Sequence, residues 1–149
     1  MGAICEPEPR TEEMSGYLIK RAQAALHVCL EEIVSAHGLG IAQFLVLSLL
    51  AETPGLANAD LARRAFVTPQ SMNEVLKRLE STGLVERRQN PANARILNAY
   101  LTRTGTGKWS AASSQVQELE ARLLSGLTSD ERQTLNRALL TIIDNVTPR

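Results

Sequence analysis

Residues 68–83 carry the signals for both ends of one amphipathic helix. Thr68 is a good N-cap, and Pro69 suits the first helical position because the backbone N–H that proline lacks would have no partner there. Gly83 favours a left-handed stop, so the helix is predicted to run to Thr82. Its apolar stripe is made by Met72, Val75, Leu76 and Leu79. Such a stripe packs on the rest of a domain and leaves a polar face outward.

The segments on either side of this helix predict two further elements. A short helix is expected over residues 58–65, with Asn58 as its N-cap. After the amphipathic helix, residues 84–89 and 96–101 are predicted to be extended, and residues 90–94 have the composition of a turn. A short helix, a second helix three residues later and a β-hairpin indicate a helix-turn-helix with a wing. The second helix of that motif enters the major groove of DNA.

Apolar spacing predicts helices over most of the remaining chain. These helices cover about residues 11–36, 41–52 and 103–124, and a last one begins near Thr128. Thr128 and Glu131 fit a capping box at the start of the last helix. The two prolines and the charges of residues 1–10 predict a flexible tail.

The chain of 149 residues is long enough for one domain, which we expect over residues 11–149. The predicted fold class is mainly α with a small β-hairpin wing. A winged helix-turn-helix is expected over 41–102, and a helical dimerisation region over 11–40 and 103–149. Abundant Leu and Ala, with only 3% aromatic residues, favour this helical class.

Apolar side chains on the outer helices predict helix–helix contacts. The 103–124 helix carries a heptad seam, in which apolar residues alternate at three- and four-residue steps. The members of the seam are Trp109, Ala112, Val116, Leu119 and Leu123. The last helix is expected to bury Leu135, Leu139, Ile142, Ile143 and Val146. These faces can serve an intramolecular core, a dimer or both. The residues predicted at a dimer interface are Leu18, Ala22, Ala25, Trp109, Val116, Leu119, Leu135, Leu139, Ile142 and Ile143.

A net charge of zero, from 16 basic and 16 acidic residues, hides a basic middle. Residues 54–103 contain eight basic and four acidic residues, which indicates a local nucleic-acid footprint. Gln and Asn near the helix N-terminus can make paired hydrogen bonds to adenine, and arginines of the hairpin can reach phosphates or a minor groove. The residues predicted to contact DNA are Thr68, Pro69, Gln70, Ser71, Asn73, Lys77, Arg78, Arg87, Arg88 and Arg95. Among them, Arg95 is the candidate for the minor groove.

Residues 67–88 strongly resemble the recognition helix and first wing strand of the MarR family of transcriptional regulators. Residues 40–47 are similar to that family's second helix, and residues 101–105 resemble the junction into its long fifth helix. The likeness covers roughly residues 15–146. At the wing tip the family's usual Asp-x-Arg is replaced by Asn93-Ala94-Arg95, so an amide stands where an acid would hold the arginine.

The resemblance implies a homodimer in which the first, fifth and sixth helices of two chains interlock. Each chain would present one winged motif to double-stranded DNA, on a pseudo-palindromic operator with half-sites ~10 bp apart. It also implies a sequence-specific repressor that a small effector, commonly an aromatic or phenolic acid, releases from DNA. The candidate effector-binding residues are Arg21, His27, Phe44 and Trp109.

Thiol chemistry gives an alternative function, a redox-sensing regulator. The organic-peroxide-sensing branch of the family carries its reactive cysteine near the start of the first helix, where this chain has Tyr17. Cys29 lies about three turns later on an apolar stripe, and Cys5 lies in the tail. A zinc site would have to use His27, Cys29, Glu32 and His37, which lie along one helix without converging. We therefore expect no metal and no cofactor.

Two other classes of protein fit the sequence less well. An enzyme would need a nucleophile with a base, a metal site or a Gly-rich phosphate loop. The sequence has only two histidines and no Gly-rich phosphate loop, so we expect no enzyme. A helical interaction domain that does not bind DNA would explain the heptad seam but not the basic hairpin. The sequence lacks an 18-residue apolar run and a basic N-terminus followed by an apolar core, so we expect a cytoplasmic location without a membrane partner.

Overall fold

The computed structural model describes residues 10–148, so the predicted flexible tail, apart from Arg10, and Cys5 lie outside the described residues. A 3-10 turn over Thr11–Glu13 comes first. The helices are α1 (Ser15–Ala36), α2 (Ile41–Glu52), α3 (Asn58–Arg64), α4 (Pro69–Ser81), α5 (Arg103–Leu123) and α6 (Ser129–Val146). The strands are β1 (Leu56–Ala57), β2 (Val85–Asn90) and β3 (Asn93–Leu101). The predicted class, mainly helical with a small β-sheet wing, is confirmed.

Helix α2 forms the centre of the core. It is apolar around most of its axis, and Val46 and Leu47 are fully buried within it. The inner face of α4 packs into the same cluster through its predicted stripe, of which Leu76 and Leu79 are fully buried. This packing fixes the outer face of α4 relative to the rest of the domain.

The predicted N-cap and glycine stop of α4 are confirmed. The Thr68 side chain caps the helix by accepting a hydrogen bond from the backbone N–H of Ser71 at 3.1 Å, and Pro69 is the first helical residue. Gly83 follows with φ +70°, the left-handed conformation that glycine adopts without strain. The helix ends at Ser81, one residue earlier than predicted, with Thr82 as its C-cap.

The start of α3 differs from the prediction. Asn58 is its first helical residue, and Ala57 stands at the N-cap without a side-chain hydrogen bond. The Asn58 side chain instead reaches across the motif and donates from Nδ2 to the carbonyl oxygen of Pro69 at 3.0 Å. The amide therefore joins α3 to the beginning of α4 rather than capping its own helix.

The wing is larger than the predicted hairpin. Strand β1, which was not predicted, pairs antiparallel with β3 and gives a three-stranded sheet of order β1-β3-β2. Strand β3 begins at Asn93 rather than Ile96, so the tip is a tight turn at Pro91 and Ala92. The β2–β3 register shifts between Gln89 and Asn90, which marks a bulge near the tip.

The outer helices leave much of their apolar surface open. Helix α1 begins at Ser15 rather than at residue 11, and its first two turns are exposed. Helix α6 has the predicted capping box, in which Thr128 and Glu131 satisfy each other's backbone N–H groups. No residue of α6 is buried, so the expectation that this helix buries an apolar face is not met within one chain.

Between residues 10 and 148, no single helix has the length and apolar composition of a membrane span. Helices α1 and α2 reach that composition only as a pair, and the two are bent by 79° at the break between them.

Candidate nucleic-acid interface

The outer face of α4 is polar and open at its N-terminal half. Gln70, Ser71, Lys77 and Arg78 are exposed, and Asn73 is half-buried on the side nearest the wing. Their backbone positions are fixed by the buried stripe on the opposite face of the same helix. These five predicted contact residues therefore share one accessible helix face.

Thr68 and Pro69, also predicted to contact DNA, shape the start of this face. The Thr68 hydroxyl accepts from the backbone of Ser71 and donates to Ser71 Oγ at 3.0 Å. Because Ser71 Oγ accepts from Thr68, its own proton is free to be donated outward. The carbonyl of Pro69 accepts from Asn58. The hydrogen bonds of Thr68 and Pro69 therefore hold the first turn of α4 in place.

Arg87 faces α4 rather than solvent, and its predicted contact with DNA stays a prediction. Its guanidinium donates from Nη1 to Asn73 Oδ1 at 3.1 Å and from Nη2 to Glu80 Oε2 at 2.5 Å. The Arg87 side chain is only 15% exposed. It lies on the same strand face as buried Val85, because residues two apart in a strand share a face. Arg87 is therefore a brace between the wing and α4.

Arg88 lies on the other face of β2 and is largely exposed. Its guanidinium pairs with the carboxylate of Glu86 and lies 4.8 Å from the centroid of the Tyr100 ring. The stacking and the ion pair hold the side chain along the sheet. Arg88 remains accessible at the flank of the wing, and its contact with DNA stays a prediction.

The wing tip is held by asparagine side chains. Asn90 Oδ1 accepts from the backbone N–H groups of Ala92 and Asn93, at 2.8 and 3.3 Å. Asn93 Oδ1 accepts from the backbone N–H of Arg95 at 3.1 Å. The amide at 93 thus fixes the backbone of Arg95, while the Arg95 side chain is exposed.

The wing and α4 enclose a shallow cavity of about 360 Å³. Asn73, Arg87 and Arg95 all line it, together with the first turn of α3. The structure therefore brings Asn73 of α4, Arg87 of β2 and Arg95 of β3 to the same concave surface.

The start of α5 is joined to the end of α4. Thr102 donates from Oγ1 to the carbonyl of Gly83 at 2.6 Å and from its backbone N–H to that of Leu84 at 3.1 Å. The same hydroxyl accepts from the backbone N–H of Gly105 at 2.9 Å and so caps α5. These hydrogen bonds hold the first turn of α5 against the segment between α4 and the wing.

The four candidate effector residues do not form one site. Arg21 is exposed on α1 with its guanidinium 6.0 Å from the Tyr17 ring, and His27 is exposed beside Glu31. Phe44 is buried in the core of the single chain, so its place in an effector site stays a prediction. Trp109 is half-buried, and its indole N–H donates to Ser48 Oγ at 3.1 Å.

The predicted interface residues fall into two groups. Trp109 and Val116 pack against the core of their own chain, and Leu119 is buried, so this part of the heptad seam is intramolecular. The other group is open or half-open on α1 and α6: Leu18, Ala22, Ala25, Leu135, Leu139, Ile142 and Ile143. A groove of about 420 Å³ between α1, α5 and α6 is lined almost entirely by apolar side chains from these helices.

The described residues contain no group of three or more His, Cys, Asp or Glu side chains placed to hold a metal ion. Cys29 is a free, half-buried thiol. It lines a small apolar cavity between α1 and α5.

Sequence reasoning missed Glu80, Ser48 and Tyr100. Glu80 anchors the Arg87 brace, Ser48 holds the Trp109 indole, and Tyr100 supports Arg88. Each pairing joins separate elements, so no local spacing reveals it. The alternation of Val85 and Arg87 on one strand face was the one available signal that Arg87 turns inward.

Comparisons with known proteins agree with this architecture. A sequence model of the MarR family matches residues 39–97, from just before α2 into strand β3 of the wing. The transcriptional repressor Rv2887 of Mycobacterium tuberculosis is 39% identical over 124 residues, which cover 83% of this chain and 89% of that protein. The structure of the transcriptional repressor CouR bound to a 23-mer DNA duplex has a TM-score of 0.80 at 31% identity, covering 91% of this chain and 98% of that one. The complex of Rv2887 with salicylic acid has a TM-score of 0.67 at 37% identity, covering 87% and 96%. The chain therefore belongs to the MarR family of transcriptional regulators.

Proposed function

We propose that this protein is a homodimeric repressor that binds a pseudo-palindromic operator through α4 and the wing, and that a small aromatic acid releases it. The observation that carries the proposal is the common surface formed by the polar face of α4 and the exposed Arg95, held in register by the Arg87 brace. The related repressors, one bound to a DNA duplex and one to salicylic acid, support both halves of the proposal. The expected cytoplasmic location belongs to the same proposal.

The DNA contacts divide by element. Gln70, Ser71 and Asn73 reach base edges from the N-terminal half of α4, while Lys77 and Arg78 contact phosphates along the groove. Arg95 enters the neighbouring minor groove from the wing tip, and Arg88 contacts the backbone at the flank. Arg87 contributes by holding the wing against α4 and not by touching DNA.

The dimer forms through α1 and α6. Their exposed apolar side chains include Leu18, Val28, Leu140, Ile143 and Val146, each between 48% and 74% exposed. Large exposed apolar side chains in this number on two outer helices favour an interface over a solvated face. A twofold dimer uses the same patch on both chains and places two copies of α4 about one helical turn apart on DNA.

The effector binds where the end of α1, α2 and the start of α5 meet. His37 Nε2 is buried and has no hydrogen-bond partner among residues 10–148. The next residue, Gly38, lies beside the Lys108 ammonium group, since a Cβ at position 38 would stand 3.5 Å from Nζ, an ordinary van der Waals distance. Trp109 and Ser48 already form one hydrogen bond at this corner. A cation, an imidazole and an indole can together hold an aromatic carboxylate, and Trp109 and Lys108 lie seven residues or fewer from the Thr102 contact with Gly83.

A gel shift on the DNA upstream of the protein's own gene tests the proposal. We expect a complex at low salt whose affinity falls steeply as salt rises, because Lys and Arg contacts to phosphates release counterions. Salicylate added at increasing concentration should dissociate the complex and quench the fluorescence of Trp109, the single tryptophan. Benzene sulfonamide, which lacks the carboxylate, is the control ligand. Failure to shift this or any promoter duplex would reject DNA binding, and an unchanged complex with aromatic acids would reject the effector class.

A further inference from the structure

The orientation of the Asn73 side-chain amide is set by Arg87. A guanidinium can only donate hydrogen bonds, so the Asn73 atom 3.1 Å from Arg87 Nη1 has to be the acceptor Oδ1. The amino group, Nδ2, then points to the other side of the amide. The helix therefore offers a hydrogen-bond donor at position 73.

The arginine that sets this orientation is itself immobilised. Its Nη2 pairs with Glu80 Oε2, on the same side of α4 two turns after Asn73, and the Arg87 side chain is 15% exposed. Its backbone lies opposite buried Ala99 in the β2–β3 ladder. Charge-assisted pairing, burial and strand pairing all hold the guanidinium in one place. The Asn73 amide consequently has little freedom to turn over.

A clamped asparagine recognises a different base edge from a free one. The paired contact to adenine needs Oδ1 and Nδ2 to face the base together, because adenine shows one donor and one acceptor in the major groove. Arg87 holds Oδ1 away on the wing side. Guanine shows the Asn73 amino group two acceptors, O6 and N7, whereas thymine shows one, O4, and adenine shows one, N7, beside an amino donor. Cytosine shows a donor that would face the Asn73 amino group.

We propose that Arg87, anchored by Glu80, is a positioning residue that makes Asn73 a hydrogen-bond donor to DNA, so that the base facing Asn73 in the operator is guanine rather than adenine or cytosine. This inference rests on the proposed function, because it assumes that α4 enters the major groove. It replaces the adenine contact that the residue type alone suggests.

Selection of binding sites from a pool of random duplexes tests the inference. Wild-type protein gives the operator motif, and Asn73→Ala identifies the position facing residue 73, where its preference disappears. At that position the wild type should bind guanine about tenfold more tightly than adenine. Arg87→Gln frees the Asn73 amide to turn over. The variant should therefore bind guanine and adenine at this position equally well, or should prefer adenine. Arg137→Gln, an exposed arginine of α6, is the matched control and should keep the wild-type preference.

Asn73→Asp tests the donor without removing the brace. A carboxylate accepts from Arg87 as the amide oxygen does, but it has no proton to donate, so the preference at this position should move from guanine to cytosine. Circular dichroism checks that each variant is folded. Adenine at this position for the wild type, or a guanine preference unchanged in both Arg87→Gln and Asn73→Asp, would overturn the inference while leaving DNA binding intact. A wild-type protein that enriches no motif would contradict the proposed function and this inference together.

Discussion

Gly105 lies so close to Leu84 that a Cβ at position 105 would stand 1.9 Å from the Leu84 carbonyl oxygen. This contact joins the first turn of α5 to the segment between the recognition helix and the wing. The oxygen also accepts the backbone N–H of Thr102, so it cannot move aside without breaking the junction. We expect Gly105→Ala to lower the free energy of unfolding by about 1–3 kcal/mol, and to weaken DNA binding further than that loss explains.

Gly107, two residues along the same helix, provides the control for this prediction. A Cβ at Gly107 would meet nothing within 4 Å. Because alanine favours a helix over glycine, Gly107→Ala should raise the free energy of unfolding by up to about 1 kcal/mol. Urea unfolding of the two variants measures both effects. Equal stability for the two would show that the close approach at Gly105 is relaxed in solution.

The N-cap of α4 makes a second prediction. Thr68→Ala removes the acceptor for the backbone N–H of Ser71, which should reduce stability by about 1 kcal/mol. Operator affinity should fall with it, because the frayed turn carries Gln70 and Ser71. Thr68→Ser keeps the hydroxyl and should retain the wild-type stability and operator affinity. Thermal unfolding and fluorescence anisotropy on labelled operator check them, and a loss of affinity in the serine variant would point to a contact by the Thr68 methyl group instead.

Replacing Phe66 should not destabilise the protein, unlike replacing Thr68 with alanine. It has φ +55° and its side chain is 91% exposed, so it occupies a strained backbone conformation without burying its ring. Left-handed geometry costs a non-glycine residue roughly 1–2 kcal/mol, whereas glycine has more freedom to lose on folding. Phe66→Gly should therefore leave the stability unchanged or raise it by up to about 1 kcal/mol. A loss of 2 kcal/mol or more in chemical denaturation would show that the ring packs against the protein.

A carboxylate introduced on the exposed apolar face of α6 should dissociate the proposed dimer. Ile143 is 50% exposed within one chain, and a carboxylate buried there in a dimer would be left without a partner. Ile143→Asp should give monomers by analytical ultracentrifugation and abolish operator binding. Thr141→Asp, on the polar side of the same helix, is the control and should remain dimeric. A dimeric Ile143→Asp protein would place the interface on another surface.

Arg95 should strengthen DNA binding in a way that depends little on the DNA sequence beside the wing. Removing its charge with Arg95→Ala should lower affinity about fivefold or more and reduce the slope of log affinity against log salt by about 1. Arg137, exposed on the polar side of α6, is the matched control, and its alanine variant should keep the wild-type slope. An Arg95→Ala variant with wild-type affinity and slope would remove the wing tip from the interface.

The sequence was most informative where the determinants are local. Thr68, Pro69 and Gly83 define α4 through interactions within one or two turns, and the same holds for the Thr128 capping box of α6. Strand β1 could not be predicted because two residues carry no periodicity, and they become a strand only by pairing with Ala99 and Asn98 of β3.

The different orientations of Arg87 and Arg88 could not be predicted from the residues that neighbour them in sequence. Strand alternation puts the two on opposite faces, but only the packing of the sheet on α4 decides which one turns inward. The inward arginine finds Glu80 and Asn73, and the outward one finds Glu86 and Tyr100. The relative positions of the effector candidates were beyond local reasoning for the same cause, since burial of Phe44 depends on how α1, α2 and α5 pack together.

A hydroxyl-radical footprint on the upstream DNA tests the central claim most directly. A twofold dimer with one α4 and one wing per chain should protect two patches on one face of the duplex, with centres about one helical turn, ~10 bp, apart. Shorter protections in the flanking minor grooves should mark the wing tips, and they should disappear with Arg95→Ala. A single protected patch, or protection with no twofold relation between its halves, would contradict the account.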